Sequence, residues 1–116
     1  MDFKALAQQV QPDVVSFRRD LHQHPEASFQ EVRTTNQIAK AMEELNIPYR
    51  KFDPTGLVAE IKGAKPGKTV ALRADIDALS ITENTGLPFA SQNPGFMHAC
   101  GHDTHAAMLV GAAKVL

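Results

Sequence analysis

The residues that could do chemistry crowd into the segment HACGHDTHAAM at 98–108. It contains the only cysteine, Cys100, and three of the five histidines. Thiolate and imidazole are good ligands for zinc and similar divalent ions. Cys100 and His102 are two residues apart, so they reach a common target only if the backbone turns between them, as Gly101 permits. The pair is a candidate metal site; the alternative is a buried cysteine beside a structural histidine.

Two carboxylates lie in a second segment of interest, ALRADIDAL at 71–79. Asp75 and Asp77 are spaced to share one face of a predicted strand, at its carboxyl end, where ligand clefts in α/β sheets open. A carboxylate there could bind a metal or accept the free N–H of a metal-bound histidine. The alternative is that both are solvated or paired with Arg73. The residue types alone favour neither interpretation.

The remaining histidines have simpler interpretations. His22 and His24 stand at the end of the first predicted helix, where a cationic side chain suits the helix dipole, so we interpret them as capping residues. His98 and His105 flank the candidate ligands. Each could be a ligand, a donor to substrate or a brace for the loop, and the spacing does not decide among these roles.

Two predicted helices precede the carboxylates. Apolar residues at steps of three and four predict a helix over 3–21, which Pro12 kinks or divides, and a second helix over 32–45. Ser28 and Glu31 have the spacing of a capping box for the second helix.

The middle of the chain changes to the period of a strand. Alternating apolar residues predict strands at 57–61 and 69–76, and the turn-rich GAKPGK at 63–68 predicts an antiparallel hairpin between them. A loop over 82–97 follows. GAKPGKT is not a phosphate-binding loop, because it has three residues between its glycines where that pattern needs four.

The last segment, 103–116, is predicted to be a helix that is apolar on every side. Such a helix is normally buried. Nothing after it in the sequence could bury it, so we expect residues 1–116 to be the front part of a larger enzyme.

The composition is that of an ordinary globular protein, with 43% hydrophobic and 22% charged residues and a net charge of -1. This balance gives no basic surface for nucleic acid and no polybasic segment for anionic lipid. There is no signal-peptide pattern and no apolar run near the ~20 residues of a membrane span. A lone cysteine fits a reducing compartment, so we expect a cytoplasmic protein.

Four segments together resemble the amidohydrolases that include hippurate hydrolase and the indole-acetyl-amino-acid hydrolases. They are RRDLHQHPE (18–26), ALRADIDAL (71–79), TGLPFAS (85–91) and MHACGHDTHAAMLVGAAKVL (97–116). These enzymes belong to the aminoacylase and carboxypeptidase superfamily of dimetal peptidases. The resemblance implies an α/β fold, a mixed β-sheet flanked by helices, as the amino-terminal part of a zinc-dependent exopeptidase catalytic domain. It also implies hydrolysis of the amide bond of N-acyl amino acids or short peptides.

The same resemblance implies roles for individual residues. Cys100 and His102 fall on the Cys-Gly-His positions that bind metal, and Asp75 matches the aspartate that orients a metal-bound ligand. Arg73 stands where more distant relatives place a ligand histidine, a departure that this branch shares. The general-base glutamate, further ligands and an inserted dimerisation domain would lie beyond residue 116. The cofactors would be two divalent ions, Zn, Mn, Ni or Co, with a partial site in this chain.

The resemblance implies a homodimeric parent enzyme that needs neither nucleic acid nor a membrane. We expect residues 1–116 alone to be inactive, because catalytic zinc takes about three protein ligands plus water. One alternative is a non-catalytic relic that binds a metal, or a partner through its exposed last helix. Another is a thiol hydrolase with Cys100 as the nucleophile.

Overall fold

Three helices and one hairpin make up the computed structural model, which describes all of residues 1–116. In chain order the elements are α1 (Phe3–Gln23), α2 (Val32–Glu44), β1 (Tyr49–Lys51), β2 (Leu57–Ala59) and α3 (His102–Val115). Both predicted helices and the predicted last helix are confirmed within three residues at each end. None of the helices combines the length and apolar content that crossing a membrane requires.

Helix α1 runs unbroken through Pro12, so the predicted division there is wrong. Proline removes one backbone donor from a helix interior, which tertiary packing must offset. That packing comes from α3, which approaches so closely that a Cβ added to Gly111 would lie 2.6 Å from a methyl carbon of Val14. Helix α3 therefore lies against α1, and Val110 of α3 packs with Ala41 and Met42 of α2.

The amino end of α2 is capped by Glu26. Its Oε2 accepts from the Arg33 amide at 3.0 Å, and its Oε1 accepts from the Thr34 amide at 2.7 Å. The predicted capping box is wrong, because Glu31 makes no side-chain cap bond and the Ser28 hydroxyl is bonded elsewhere. The capping-box rule considers only residues three positions apart, so it does not detect a cap from Glu26, which is seven and eight residues before the amides that it accepts from.

We expect Glu26→Ala to lower the free energy of unfolding by about 1–2 kcal/mol, because two first-turn amides lose their acceptor. Glu26→Gln keeps one acceptor oxygen and should lose less. Urea unfolding of the complete protein measures both. Glu44→Ala, at the exposed far end of α2, is the control and should change little. Equal losses in Glu26→Ala and Glu44→Ala would contradict the assigned cap.

The hairpin is not the one that the sequence predicts. β2 pairs antiparallel with β1, with Tyr49 opposite Ala59, and residues 52–56 form the turn between them. The predicted strand at 69–76 has no partner, since residues 61–77 form no hydrogen bond between backbone groups, and the Asp77 carbonyl faces a side chain. Val70 is 84% exposed. The alternating pattern predicts a strand, but a strand forms only where a neighbouring strand supplies the ladder.

Candidate metal centre

The candidate ligands flank the first turn of α3. Gly101 is the residue before the helix and has φ 103°, a left-handed conformation that a residue with a Cβ rarely adopts. The turn expected between Cys100 and His102 is therefore present. Cys100 is a free, exposed thiol, and His102 is the first residue of the helix.

The imidazole of His102 is held on one side by Asp77. Its Nδ1 lies 3.0 Å from Asp77 Oδ1 and 3.0 Å from the Asp77 carbonyl oxygen. Because both neighbours are acceptors, Nδ1 is the donor, and Nε2 is the ring nitrogen that is available to a metal. A histidine that binds a metal through Nε2 shows this arrangement, with its other ring nitrogen donating to a carboxylate or carbonyl.

The structure places the carboxylate contact at Asp77, whereas the resemblance implied it for Asp75. Asp75 instead accepts from Arg73 Nε at 3.1 Å and Nη2 at 2.9 Å, and its side chain is 48% exposed. Two residues of extended chain span about 7 Å, so only one of the two carboxylates reaches His102. The spacing predicts that both aspartates lie on one face of a strand, but it does not predict which of them contacts His102.

Asp77 is ionised at neutral pH. Desolvation raises the pKa of its carboxyl, but hydrogen bonds from Ser28, from its own backbone amide and from His102 outweigh that effect. The pKa of Asp77 therefore lies below its ordinary value of 3.8. The ionised form is the one that accepts the His102 N–H.

A buried polar network joins α1 to the start of α3. His22 is 3% exposed; its Nδ1 donates to Asp103 Oδ2 at 2.7 Å, and its Nε2 lies 2.9 Å from Glu83 Oε1. Arg18 Nε lies 2.8 Å from the same Asp103 oxygen. Phe89 covers the network, with the Arg18 guanidinium 5.4 Å from its ring centre. Asp103 directly follows His102, so the network fixes the turn that carries the candidate ligand.

This network corrects the interpretation of His22, which does not cap α1. The capping interpretation fits His24, whose Nδ1 donates to the Asp20 carbonyl oxygen at 2.8 Å. Sequence reasoning missed Glu83 and Asp103 as partners of His22. No local signal could have found them, because Asp103 is 81 residues from His22 along the chain.

The two flanking histidines differ in environment. His98 is 4% exposed, and neither of its ring nitrogens has a hydrogen-bond partner. Burial is the main cause that lowers the pKa of His98, so its ring is neutral at pH 7 and keeps a lone pair. His105 is exposed, with its ring centre 6.2 Å from that of His102.

These residues have donor atoms that suit part of a metal site. Cys100 and His102 offer one thiol and one imidazole, a donor set that suits zinc and similar divalent ions. No group of three or more His, Cys, Asp and Glu side chains in residues 1–116 is arranged to hold a metal ion. Further ligands are needed to complete a centre of the usual coordination number.

The segment that contains Asp77, Cys100 and His102 also has relatives. Residues 71–116 match peptidase family M20/M25/M40. A solved structure of a Bacillus subtilis protein, described as a dinuclear metal binding peptidase from the M20 family, is 50% identical with a TM-score of 0.87. The likeness covers 97% of this chain and 31% of that one. It confirms the expected fold, since this chain superposes on part of a protein that is described as an M20 peptidase.

Two curated relatives match most of this chain. N-acetylcysteine deacetylase of Bacillus subtilis is 54% identical over an alignment of 108 positions, which covers 89% of this chain and 28% of the relative. N-acyl-L-amino acid amidohydrolase of Geobacillus stearothermophilus is 45% identical over 115 residues, 98% of this chain and 31% of the relative. The chain thus spans less than a third of the length of either relative.

Proposed function

We propose that the protein containing these residues is a metal-dependent amidohydrolase that cleaves the amide bond of N-acyl amino acids. The contact between Asp77 and His102 carries the proposal, because it leaves Nε2 available in a residue that is two positions along the chain from the exposed thiol of Cys100. The names of the two curated relatives, a deacetylase and an N-acyl amino acid amidohydrolase, support the substrate class.

In this proposal each residue has a separate task. Cys100 and His102 hold a divalent ion, and Asp77 fixes the ring orientation and tautomer of His102. The bound ions supply Lewis acidity, which lowers the pKa of a water and polarises the amide carbonyl. The Arg18, His22, Asp103 and Glu83 network keeps the ligand turn rigid, so that the donors are in place before substrate arrives.

Finer parts of the proposal rest on the resemblance. We place the protein in the branch of hippurate hydrolase and the indole-acetyl-amino-acid hydrolases. We propose a homodimer with two ions per site, drawn from Zn, Mn, Ni and Co, in a reducing compartment such as the cytoplasm, where an exposed thiol ligand stays reduced. The glutamate base and the other ligands would lie outside residues 1–116, and these residues alone would be inactive.

The test is hydrolysis by the complete protein after its metals are stripped with a chelator. We expect release of the free amino acid from N-acetyl amino acids and from hippurate to stop on stripping and to return with Zn²⁺, Mn²⁺, Ni²⁺ or Co²⁺. Residues 1–116 alone should show no turnover above buffer. Full turnover by the stripped protein would contradict the proposal. Metal binding without hydrolysis of any of these amides would favour the non-catalytic relic.

A further inference from the structure

We propose that Ser28 is a positioning residue for the metal centre, acting on His102 through Asp77. The Ser28 hydroxyl donates to Asp77 Oδ2 at 2.9 Å, while Oδ1 of the same carboxylate lies 3.0 Å from His102 Nδ1. The inference rests on the proposed function, in which His102 is a metal ligand.

The Ser28 bond matters because an aspartate held at one oxygen is loosely oriented. Rotation of a carboxylate about its last bond is broad, without the sharp staggered wells of an aliphatic side chain. A second bond, at the other oxygen, confines that rotation. When Ser28 holds Oδ2, Oδ1 is directed at Nδ1 of His102. The orientation of the His102 ring is then fixed, and with it the direction in which Nε2 faces the proposed metal ion.

Ser28 is itself held by its surroundings. It lies in a turn closed by the bond from the Gln30 amide to the Ala27 carbonyl at 2.9 Å, and Phe29 in that turn has φ 64°. A left-handed conformation is unfavourable for a phenylalanine, so neighbouring contacts must maintain it.

Two hydrogen bonds anchor the residues just before that turn. The Ala78 amide donates to the Glu26 carbonyl at 2.8 Å, and the Asn93 side chain donates to the Pro25 carbonyl at 3.0 Å. Ala78 and Pro25 are buried. The Ala78 bond therefore fixes the loop that carries Ser28 to the chain that carries Asp77, and the Ser28 hydroxyl needs only a suitable rotamer to reach the carboxylate.

Ser28 is exposed, so its hydroxyl adds little to the stability of the fold and its effect should appear at the metal. Loss of a group that directly contacts a ligand typically costs 10–100-fold in metal affinity. Ser28 is one bond further away and water can partly replace it. We expect Ser28→Ala to weaken metal binding about three- to tenfold, below the range for direct partners.

The experiment uses the complete protein, stripped of metal and titrated with Co²⁺ in competition with a chelator. The absorption band of a cobalt-bound thiolate reports Cys100 directly, without any measurement of turnover. Ser28→Ala should bind Co²⁺ more weakly at an unchanged urea midpoint, and Ser28→Thr, which keeps the hydroxyl, should restore the parent affinity. Ser16→Ala, an exposed serine on α1 with no side-chain hydrogen bond, is the matched control and should bind as the parent does.

Three outcomes would overturn the proposal. If Ser28→Ala binds Co²⁺ like the parent, or if Ser28→Thr is as weak as Ser28→Ala, the hydroxyl does not position the site and only this inference fails. If the parent protein shows no cobalt–thiolate band, the proposed metal role of Cys100 fails as well.

Discussion

Replacing Cys100 or His102 with alanine in the complete protein is expected to remove bound metal and amide hydrolysis together. Each substitution deletes a donor atom of the ion itself, so the loss should exceed the roughly 10–100-fold that follows removal of an outer partner. Without the ion, the Lewis acidity that the proposed reaction needs is gone. Metal content by mass spectrometry and the rate of N-acetyl amino acid hydrolysis measure the two effects on the same samples.

His24→Ala is the matched control for this experiment. His24 lies at the end of α1 and donates to the Asp20 carbonyl. The substitution His24→Ala therefore removes an imidazole but leaves both candidate ligands in place. We expect its metal content and activity to equal those of the parent. If Cys100→Ala keeps its full metal content and activity, the thiol is not a ligand. If the protein stays active after chelation but is inactivated by alkylation, Cys100 acts as the nucleophile of a thiol hydrolase.

The candidate ligand pair could be proposed from the sequence because its chemistry is local. Cys100, Gly101 and His102 are consecutive, so the residue types and the turn-permitting glycine could be recognised without any knowledge of the fold. The partner of His102 could not be chosen in the same way. Asp75 and Asp77 share residue type and face, and only the tertiary contact across 25 residues distinguishes them.

Predictions from local spacing were wrong where a side chain contacts residues that are distant in the sequence. The Ser28 and Glu31 pattern fits a capping box, yet Glu26 caps α2 and Ser28 donates to Asp77, 49 residues away. In the hairpin, the alternating residues at 69–76 gave a stronger pattern than β1, whose three residues include an arginine and a lysine. The shorter turn at 52–56 brings β1 to β2, and the apolar residues of 69–76 stay without a partner strand.

The buried network around His22 joins residues that are far apart in the sequence, so no local sequence rule could predict it. We expect Asp103→Ala to lower the free energy of unfolding by about 3 kcal/mol. Asp103 is fully buried and serves both the His22 imidazole at 2.7 Å and the Arg18 guanidinium at 2.8 Å. Removal of one partner from a buried pair typically costs 3–5 kcal/mol, and the lower end applies because the Arg18 side chain is 31% exposed and can be partly solvated.

Asp75→Ala is a control of the same residue type in an exposed ion pair. Its partner Arg73 is 87% exposed, and exposed pairs contribute about 0–1 kcal/mol. Urea unfolding of the complete protein should therefore separate the two variants by about 2 kcal/mol or more. Similar losses in Asp103→Ala and Asp75→Ala would contradict the view that the buried network stabilises the start of α3.

A double variant distinguishes a lost interaction from a general weakening of the fold. Most of the cost of Asp103→Ala comes from the His22 and Arg18 donors that it leaves without an acceptor. In His22→Ala/Asp103→Ala one of those orphaned donors is gone, so the double variant should lose less stability than the sum of the two single variants. Simple additivity would mean that His22 and Asp103 stabilise the fold independently, and that the 2.7 Å contact between them contributes nothing to holding the ligand turn.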